Sequence, residues 1–440
     1  MPSRTSGQAV RVAVLADSDT RWKWGALTAR RITPDDRSIE LSGFLLRGRA
    51  TPTARQLAEV GAEADALREL TGTDFLRTLR EESYDIVVLA LVGGAVQAML
   101  HGISALKLAD RPVIVTGYVG VVYEKLSDGL LLRHGADVVL ANSRYDAQRF
   151  RTVYEGVGAD ASSVTEAALP FLGGERYVPE EGRDTVVFAA QPSVPASRAD
   201  RTYLLRRLVE HARLHPRREV LLKLRSKPGE HTTHVEEFPY QRLAEKVPGG
   251  LPPNFRLVYG NMGEVLDRTD LLVTVSSTAA LESLHRRIPT AILTDFGVRE
   301  PLGNHHFIGS GCLASWDQLD GGGRPRPDAV WADRQGVAAD GSYASAFDTA
   351  RARVAELLDG PELSEISPYY TATTAPGYLP PLLARYHLAV DGTPLPSRAS
   401  EGDVRGVRRV VREAVRGAAR GAYRHGVQRV APVIRRMGEL

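Results

Sequence analysis

"LLVTVSSTAALESLHRRIP", residues 271–289, sets an apolar, β-branched run directly against three hydroxyl residues, Ser276, Ser277 and Thr278. A helical pattern begins immediately behind them. This is how a buried strand passes into a helix. The first backbone N–H groups of a helix have no intrahelical partner, and with the helix dipole they attract an anion. Helix capping also uses Ser or Thr, but one hydroxyl suffices for a cap. Three in succession point to an anion site, with capping as the alternative reading.

The same alternation of short apolar runs and helical stretches extends outward in both directions, the signature of βαβ units and parallel sheets. In the first half the expected strands are 10–16, 39–46, 84–91, 112–118, 137–143 and 163–169, with helices over 53–69, 73–82, 94–107 and 144–155. "PFLGGERYVPEEGRD" (170–184) interrupts the rhythm with Gly, Pro and charge and reads as a linker. A second series follows at 185–191, 219–225, 255–260, 271–277 and 290–296. The expectation is an α/β chain of two Rossmann-like domains, 1–175 and 184–350. A helical or irregular segment, 351–395, packs back, and a basic tail covers 400–440.

Ligands of such sheets sit beyond the carboxyl ends of the strands, so the residues there are the informative ones. After the strand at 219–225 come Lys223, Arg225 and Lys227, cations at alternate positions where an apolar run stops. They suit a phosphate or carboxylate clamp, with Arg225 able to form a two-pronged bond; an edge strand guarded by charge is the alternative. His231 and His234 follow without a ligand set around them, and no metal is expected. The first strand ends in "ADSDTRWKWG" (16–25), where Asp17 and Asp19 flank Ser18 and Arg21, Lys23 and Trp24 follow. One aspartate reads as a general base, with Arg21 and Lys23 tuning it or gripping a second substrate together with Trp24. A capped helix start is the alternative. No G-x-G-x-x-G follows this strand, which argues against a dinucleotide oxidoreductase. Gln191 and Ser193 after the strand at 185–191, Tyr118 after 112–118, and Asn304 with His305 are weaker signals of the same kind.

Bulk properties agree. The chain has 440 residues, 43% hydrophobic and 25% charged, enough for large cores. Its one cysteine, Cys312, excludes an intramolecular disulfide and suits a reducing compartment. No apolar stretch is long enough for a signal peptide or a membrane span. Residues 401–440 hold ten Arg against four acidic residues, so the +3 of the whole chain sits in the tail and the rest is mildly acidic.

With these residues in view the chain resembles the GT-B glycosyltransferases, two Rossmann-like domains facing each other across a nucleotide-sugar cleft. It looks most like the bacterial sialyltransferase, polysialyltransferase and Kdo-transferase group. Members carry a Ser-Ser or Ser-Ser-Thr motif, matched by Ser276, Ser277 and Thr278, and a His-Pro motif, where this chain has Lys227-Pro228. The resemblance implies an inverting, metal-independent transfer without a cofactor. A CMP-activated 2-keto sugar acid is the favoured donor, and a glycopolymer or lipid-linked molecule the acceptor. Asp17 or Asp19 would be the base. Lys223, Arg225, Lys227, Gln191, Ser193, Ser276, Ser277 and Thr278 would hold the donor, with Glu282 taking a ribose hydroxyl. Arg21, Lys23, Trp24 and Tyr118 would hold the acceptor. CDP-glycerol or UDP-sugar transfer, a non-catalytic nucleotide-sugar-binding homologue and an epimerase of similar architecture are the alternatives.

In the tail, Arg405, Arg408, Arg409, Arg412, Arg416, Arg420 and Arg424 form one helical stripe beside Val404, Val407, Val411, Val415 and Ala418. This pattern suits a helix lying on an anionic membrane surface, and places the protein in the cytoplasm at the inner face of the membrane. Disorder is the alternative. Nucleic-acid binding is not expected, because no aromatic residues are interleaved.

Overall fold

A computed structural model describes residues 9–48, 50–122, 126–227, 230, 236–337, 342–360 and 362–396. The strands are β1 (Val10–Ala16), β2 (Ile39–Leu46), β3 (Ala66–Leu70), β4 (Ile86–Ala90), β5 (Val113–Gly117), β6 (Val138–Ala141), β7 (Val164–Glu166), β8 (Thr185–Ala189), β9 (Glu219–Lys223), β10 (Phe255–Val258), β11 (Leu271–Thr274), β12 (Thr290–Leu293) and β13 (Leu313–Ala314). The helices of the first half are α1 (Asp19–Ile32), α2 (Ala54–Val60), α3 (Gly72–Glu81), α4 (Gly93–Leu106), α5 (Leu126–Leu131) and α6 (Arg144–Gly156). Those of the second half are α7 (Arg198–Leu214), α8 (Tyr240–Ala244), α9 (Met262–Leu266), α10 (Ala279–His285), α11 (Trp316–Asp320), α12 (Ala329–Arg334), α13 (Asp348–Asp359) and α14 (Leu379–Ala384).

Two sheets result. The first runs β3-β2-β1-β4-β5-β6-β7 and the second β10-β9-β8-β11-β12-β13. Every neighbouring pair is parallel. Central strands such as β4 (IVVLA) and β8 (TVVFA) are buried along their whole length, which is why they read as unbroken apolar runs rather than alternating ones. In each sheet the strand order reverses once, between β1 and β4 and between β8 and β11. These two switch points are where a doubly wound sheet opens a crevice.

From Asp19 onward the stretch 16–25 is helix α1 rather than loop. Ser18 caps α1, accepting from the Arg21 N–H at 3.4 Å, and the helix lies flat on the sheet. Residues two apart on a helix point to opposite flanks, so Trp22 and Trp24 both find apolar surface. Trp22 covers Gly43 of β2 and donates from Nε1 to the Ala62 carbonyl at 3.1 Å. Trp24 is 0% exposed and packs over Gly117 at the end of β5. The acceptor role expected of Trp24 is therefore overturned: the ring is core. Gly25 permits this approach, since a Cβ there would stand 2.6 Å from the Val14 side chain.

The helix expected over 53–69 divides in two. A capping box of Thr53 and Gln56 starts α2, and Gly61 at φ 62° stops it. The chain then turns back as β3, an edge strand whose first four residues are exposed. β13, of two residues, was not expected from the sequence. Beyond the second sheet the chain returns to the first: α13 packs on α1 and against β5, β6 and β7, and α14 packs on α4. Met1–Pro394 forms one compact unit and Leu395–Leu440 another, of which only Leu395 and Pro396 are described. The expected tail helix, His231, His234 and Pro228 lie outside the described residues.

Candidate functional site

At the first switch point Asp17 follows β1. Its Oδ2 accepts from the Val92 N–H beyond β4 at 3.0 Å, and its Oδ1 takes Arg21 Nη1 at 2.9 Å. The carboxylate is thereby tied across the reversal, with its side chain 15% exposed. Beneath it Arg133 is buried and donates to the carbonyls of Gly117, Gly129 and Leu91 at 3.0, 2.7 and 3.4 Å. Its guanidinium stacks on the Tyr118 ring, 4.1 Å from the centroid. The Tyr118 hydroxyl points to the Leu126 carbonyl at 3.4 Å, and burial raises its pKa. Tyr118 thus supports α5 and Arg133 and does not offer its hydroxyl to an acceptor as expected. Asn142, after β6, donates to the Tyr118 carbonyl at 2.6 Å and shapes the same loop.

The second switch point is closed in the same way. Gln191 follows β8, and its Oε1 accepts from the Ser276 N–H beyond β11 at 3.0 Å. Arg201, 1% exposed, donates to the carbonyls of Gln191, Pro192 and Pro195 and to Glu236, fixing the loop that carries Ser193. Ser276 is also buried. Its hydroxyl donates to the Leu302 carbonyl at 2.6 Å, so it is committed to holding the 302 loop against the strand end. Ser277 caps the turn, its Oγ accepting from the Ala279 N–H at 3.2 Å. Thr278 is half-exposed and faces the first domain, where a Cβ on Gly120 would stand 2.7 Å from the Thr278 Oγ1. Of the three hydroxyl residues, Ser277 and Thr278 are half-exposed, Thr278 on the side of the first domain, and Ser276 is buried in the junction.

The two switch points meet through charge. β9 lies between β10 and β8, so its cations guard no sheet edge. Arg225 crosses to the first domain, where it binds Asp19 Oδ1 at 2.6 Å and also donates to Thr20. Asp19 further accepts from the Thr20 N–H at 2.7 Å. Lys223 is buried at the strand end with Nζ on the Leu224 carbonyl at 2.8 Å, and burial lowers its pKa to about 8. Glu282, also buried, feels Lys23, Arg286 and Lys223 as its charged neighbours, while burial raises its pKa. Lys23, from α1, lies over the Phe171 ring at 5.1 Å. Lys227 is exposed at the rim, its Nζ 5.8 Å from the Tyr259 ring centroid.

A second clasp was not expected from the sequence. Arg55 and Glu59 of α2 reach the second domain: Arg55 pairs with Glu230, and Glu59 accepts from the Gly260 N–H at 3.0 Å. Asn261 donates to the Glu59 carbonyl at 3.0 Å. These residues sit within ordinary helix and loop patterns, and only the cross-domain distances reveal them. Asn304 is buried and spends its amide on the carbonyls of Leu293 and Gly297, a turn rather than a ligand contact. Among the described residues one His/Asp grouping has metal-ligand spacing: His211, His215 and Asp320. Asp320 already pairs with His211 and Arg207, and Arg218 occupies the other His211 nitrogen at 2.9 Å. Two guanidinium groups beside it leave the cluster poorly suited to a cation.

Two doubly wound domains with their switch points opposed define the GT-B architecture. The sequence matches the family described as "Putative glycosyltransferase (DUF6716)" over residues 12–357, and the chain belongs to that family. Its enzyme class is accordingly that of the glycosyltransferases. No curated protein matches it. Among solved structures, S. aureus MnaA in a co-structure with UDP aligns at TM-score 0.50 and 11% identity, over 79% of this chain and 95% of that one. The UDP-GlcNAc 2-epimerase from Neisseria meningitidis, bound to UDP-GlcNAc, aligns at 0.49 and 10%, covering 80% and 100%. A UDP-glucosyltransferase from Polygonum tinctorium aligns at 0.44 and 12%, covering 80% and 96%. At such identities the likeness is one of fold.

Proposed function

We propose that this protein transfers a sugar from a nucleotide-sugar donor, and that the donor's phosphate binds where Arg225 now holds Asp19. The observation that carries this reading is the Arg225–Asp19 pair across the cleft, at 2.6 Å. A guanidinium that closes two domains on a carboxylate is equally fitted to close them on a phosphate. Lys223 adds charge beside Arg225, and Thr278 adds a hydroxyl on the side of the first domain. UDP is the expected nucleotide, in keeping with the nucleotides named for the solved neighbours. A CMP-linked 2-keto sugar acid is the second reading: Lys223 beside Arg225 would match a carboxylate in addition to a phosphate.

In the step itself an acceptor hydroxyl oxygen bonds to the anomeric carbon as the bond from that carbon to the phosphate oxygen breaks. The electron pair leaves with the phosphate, where the cations and donors stabilise it. The hydroxyl proton passes to a carboxylate. Asp17 takes this role, because Val92 orients it at the switch point, whereas Asp19 serves as the latch on Arg225. Every role here falls to a side chain of this protein, without metal or cofactor.

The acceptor class extends to cell-surface glycopolymers or their lipid-linked precursors if the basic stripe of 405–424 rests on anionic membrane. No helix among the described residues is long and apolar enough to cross one. Co-sedimentation of full-length protein with anionic vesicles, lost on truncation at residue 395, supports the membrane role; equal recovery of both chains removes it. A thermal-shift comparison of UDP, CMP, CDP and GDP tests the donor. UDP should raise the melting temperature most. A larger shift with CMP selects the second reading, and no shift with any nucleotide rejects both.

A further inference from the structure

The segment after α13 carries four tyrosines within eighteen residues, Tyr369, Tyr370, Tyr378 and Tyr386, and none has a part in the site described above. The segment is fixed to the first domain beside Asp17. Leu379, Leu382 and Leu383 of α14 are buried, and Leu382 stands 3.5 Å from the Cβ position of Gly94. Gly94 lies two residues after Val92, whose N–H holds the Asp17 carboxylate. His101 and Gln97 of α4 bind the Tyr370 carbonyl at 3.0 and 3.3 Å, which pins the other end of the segment.

Anchored in this way, the rings of Tyr369, Tyr370 and Tyr378 form a connected row. Tyr369 and Tyr370 lie 5.2 Å apart between centroids, and Tyr370 and Tyr378 lie 5.4 Å apart. Tyr378 is 47% exposed. Tyr386 is half-buried one turn beyond Leu382, and the Asp17 charge is among the causes that raise its pKa, after burial. Asp128 stands in the same relation to Tyr370. The hydroxyls of Tyr370, Tyr378 and Tyr386 make no hydrogen bond to any described residue.

Tyr378 stands exposed on this anchor while Tyr370 and Tyr386 are half-buried against the first-domain core, and a ring held out from so fixed a support marks a contact site. Their chemistry restricts the occupant. The ring faces favour C–H surface, while free phenol hydroxyls and the carboxylates of Asp17 and Asp128 favour neutral hydroxyl groups over an anion. A sugar ring offers both kinds of surface at once.

We propose that Tyr370, Tyr378 and Tyr386 form the acceptor subsite, and that it takes a neutral pyranoside whose C–H face lies on the rings and whose free hydroxyl is turned toward Asp17. The word acceptor rests on the transferase reading above; the binding of a pyranoside does not.

The test is saturation-transfer NMR on full-length protein with methyl β-glucopyranoside, methyl β-galactopyranoside and chitobiose, and with p-nitrophenol as a flat aromatic control. At least one saccharide should show transfer concentrated on the C–H protons of one ring face. Tyr378→Ala should weaken that binding about tenfold and Tyr378→Phe should restore most of it, as expected for loss of one ring contact. Tyr378 is exposed, so its removal leaves the fold intact. UDP binding, measured on the same samples, should be unchanged in both variants. Absence of any saccharide signal, a signal from p-nitrophenol alone, or equal saccharide binding by Tyr378→Ala overturns the subsite. Failure of UDP to bind while saccharide transfer persists counts against the donor reading and leaves the subsite standing.

Discussion

In the proposed donor site Arg225 has two anionic claimants, the Asp19 carboxylate that it holds and a donor phosphate, and it takes one at a time. This competition separates the two aspartates. Asp19→Asn removes the internal competitor, so UDP should bind more tightly by calorimetry. Asp17→Asn should leave UDP affinity near that of the parent and slow UDP release from the donor by about 10²- to 10⁴-fold, the usual scale of a lost general base. The reverse pattern would exchange their roles. Lys223 gives the site a pH signature. Its pKa is lowered to about 8 from the ordinary 10.5, so the cation that attracts phosphate fades as pH climbs through about 8. UDP should therefore bind less tightly at pH 9 than at pH 7, and Lys223→Met should flatten the dependence. Fold stability moves the other way: between about 8 and 10.5 the unfolded chain binds more protons, so the contribution of this lysine to stability rises with pH. Residue types at strand ends made Asp17, Asp19, Lys223 and Arg225 visible in the sequence. Trp24 and Tyr118 were misread because a ring beside charges looks like a ligand contact, whereas helix geometry decides which way it faces.

The junctions between elements explain what else the sequence concealed. Central strands are dry on both faces and advertise themselves as apolar runs. β3 is exposed at a sheet edge, has no such run, and was absorbed into a helical reading of 53–69. At the β11–α10 junction the hydroxyl cluster proved to have divided duties. Ser276 welds Gln191 and Leu302 to the strand end, while its neighbours Ser277 and Thr278 are half-exposed. Ser276→Ala should leave the Leu302 carbonyl unpaired and cost about 1–3 kcal/mol in urea unfolding. Ser277→Ala should cost less stability and more donor affinity. Similar unfolding midpoints for the two variants would contradict this division. The Arg55–Glu59 clasp escaped notice for a related reason: an i, i+4 charge pair on a helix is usually only a solvated face.

At the scale of the whole molecule, two sheets that share their first six strand positions, the first sheet carrying β7 in addition, are set with their reversals opposed. Each reversal is sealed by a side chain that follows the first strand and accepts the N–H following the fourth, Asp17 with Val92 and Gln191 with Ser276. Bridging contacts run from α1 and α2 on one side to the segments after β9 and β10 on the other, and charged pairs are prominent among them. Such a closure is sensitive to an anion placed in it, and this coupling is the basis of the proposed donor site. Calorimetric titration of UDP into the parent protein and into Arg225→Ala tests it most directly. The account predicts saturable binding to the parent and at least a tenfold loss in the variant, of the order expected for one charge-assisted contact. Equal affinity in the two proteins, or no binding of UDP or CMP to either, would contradict it.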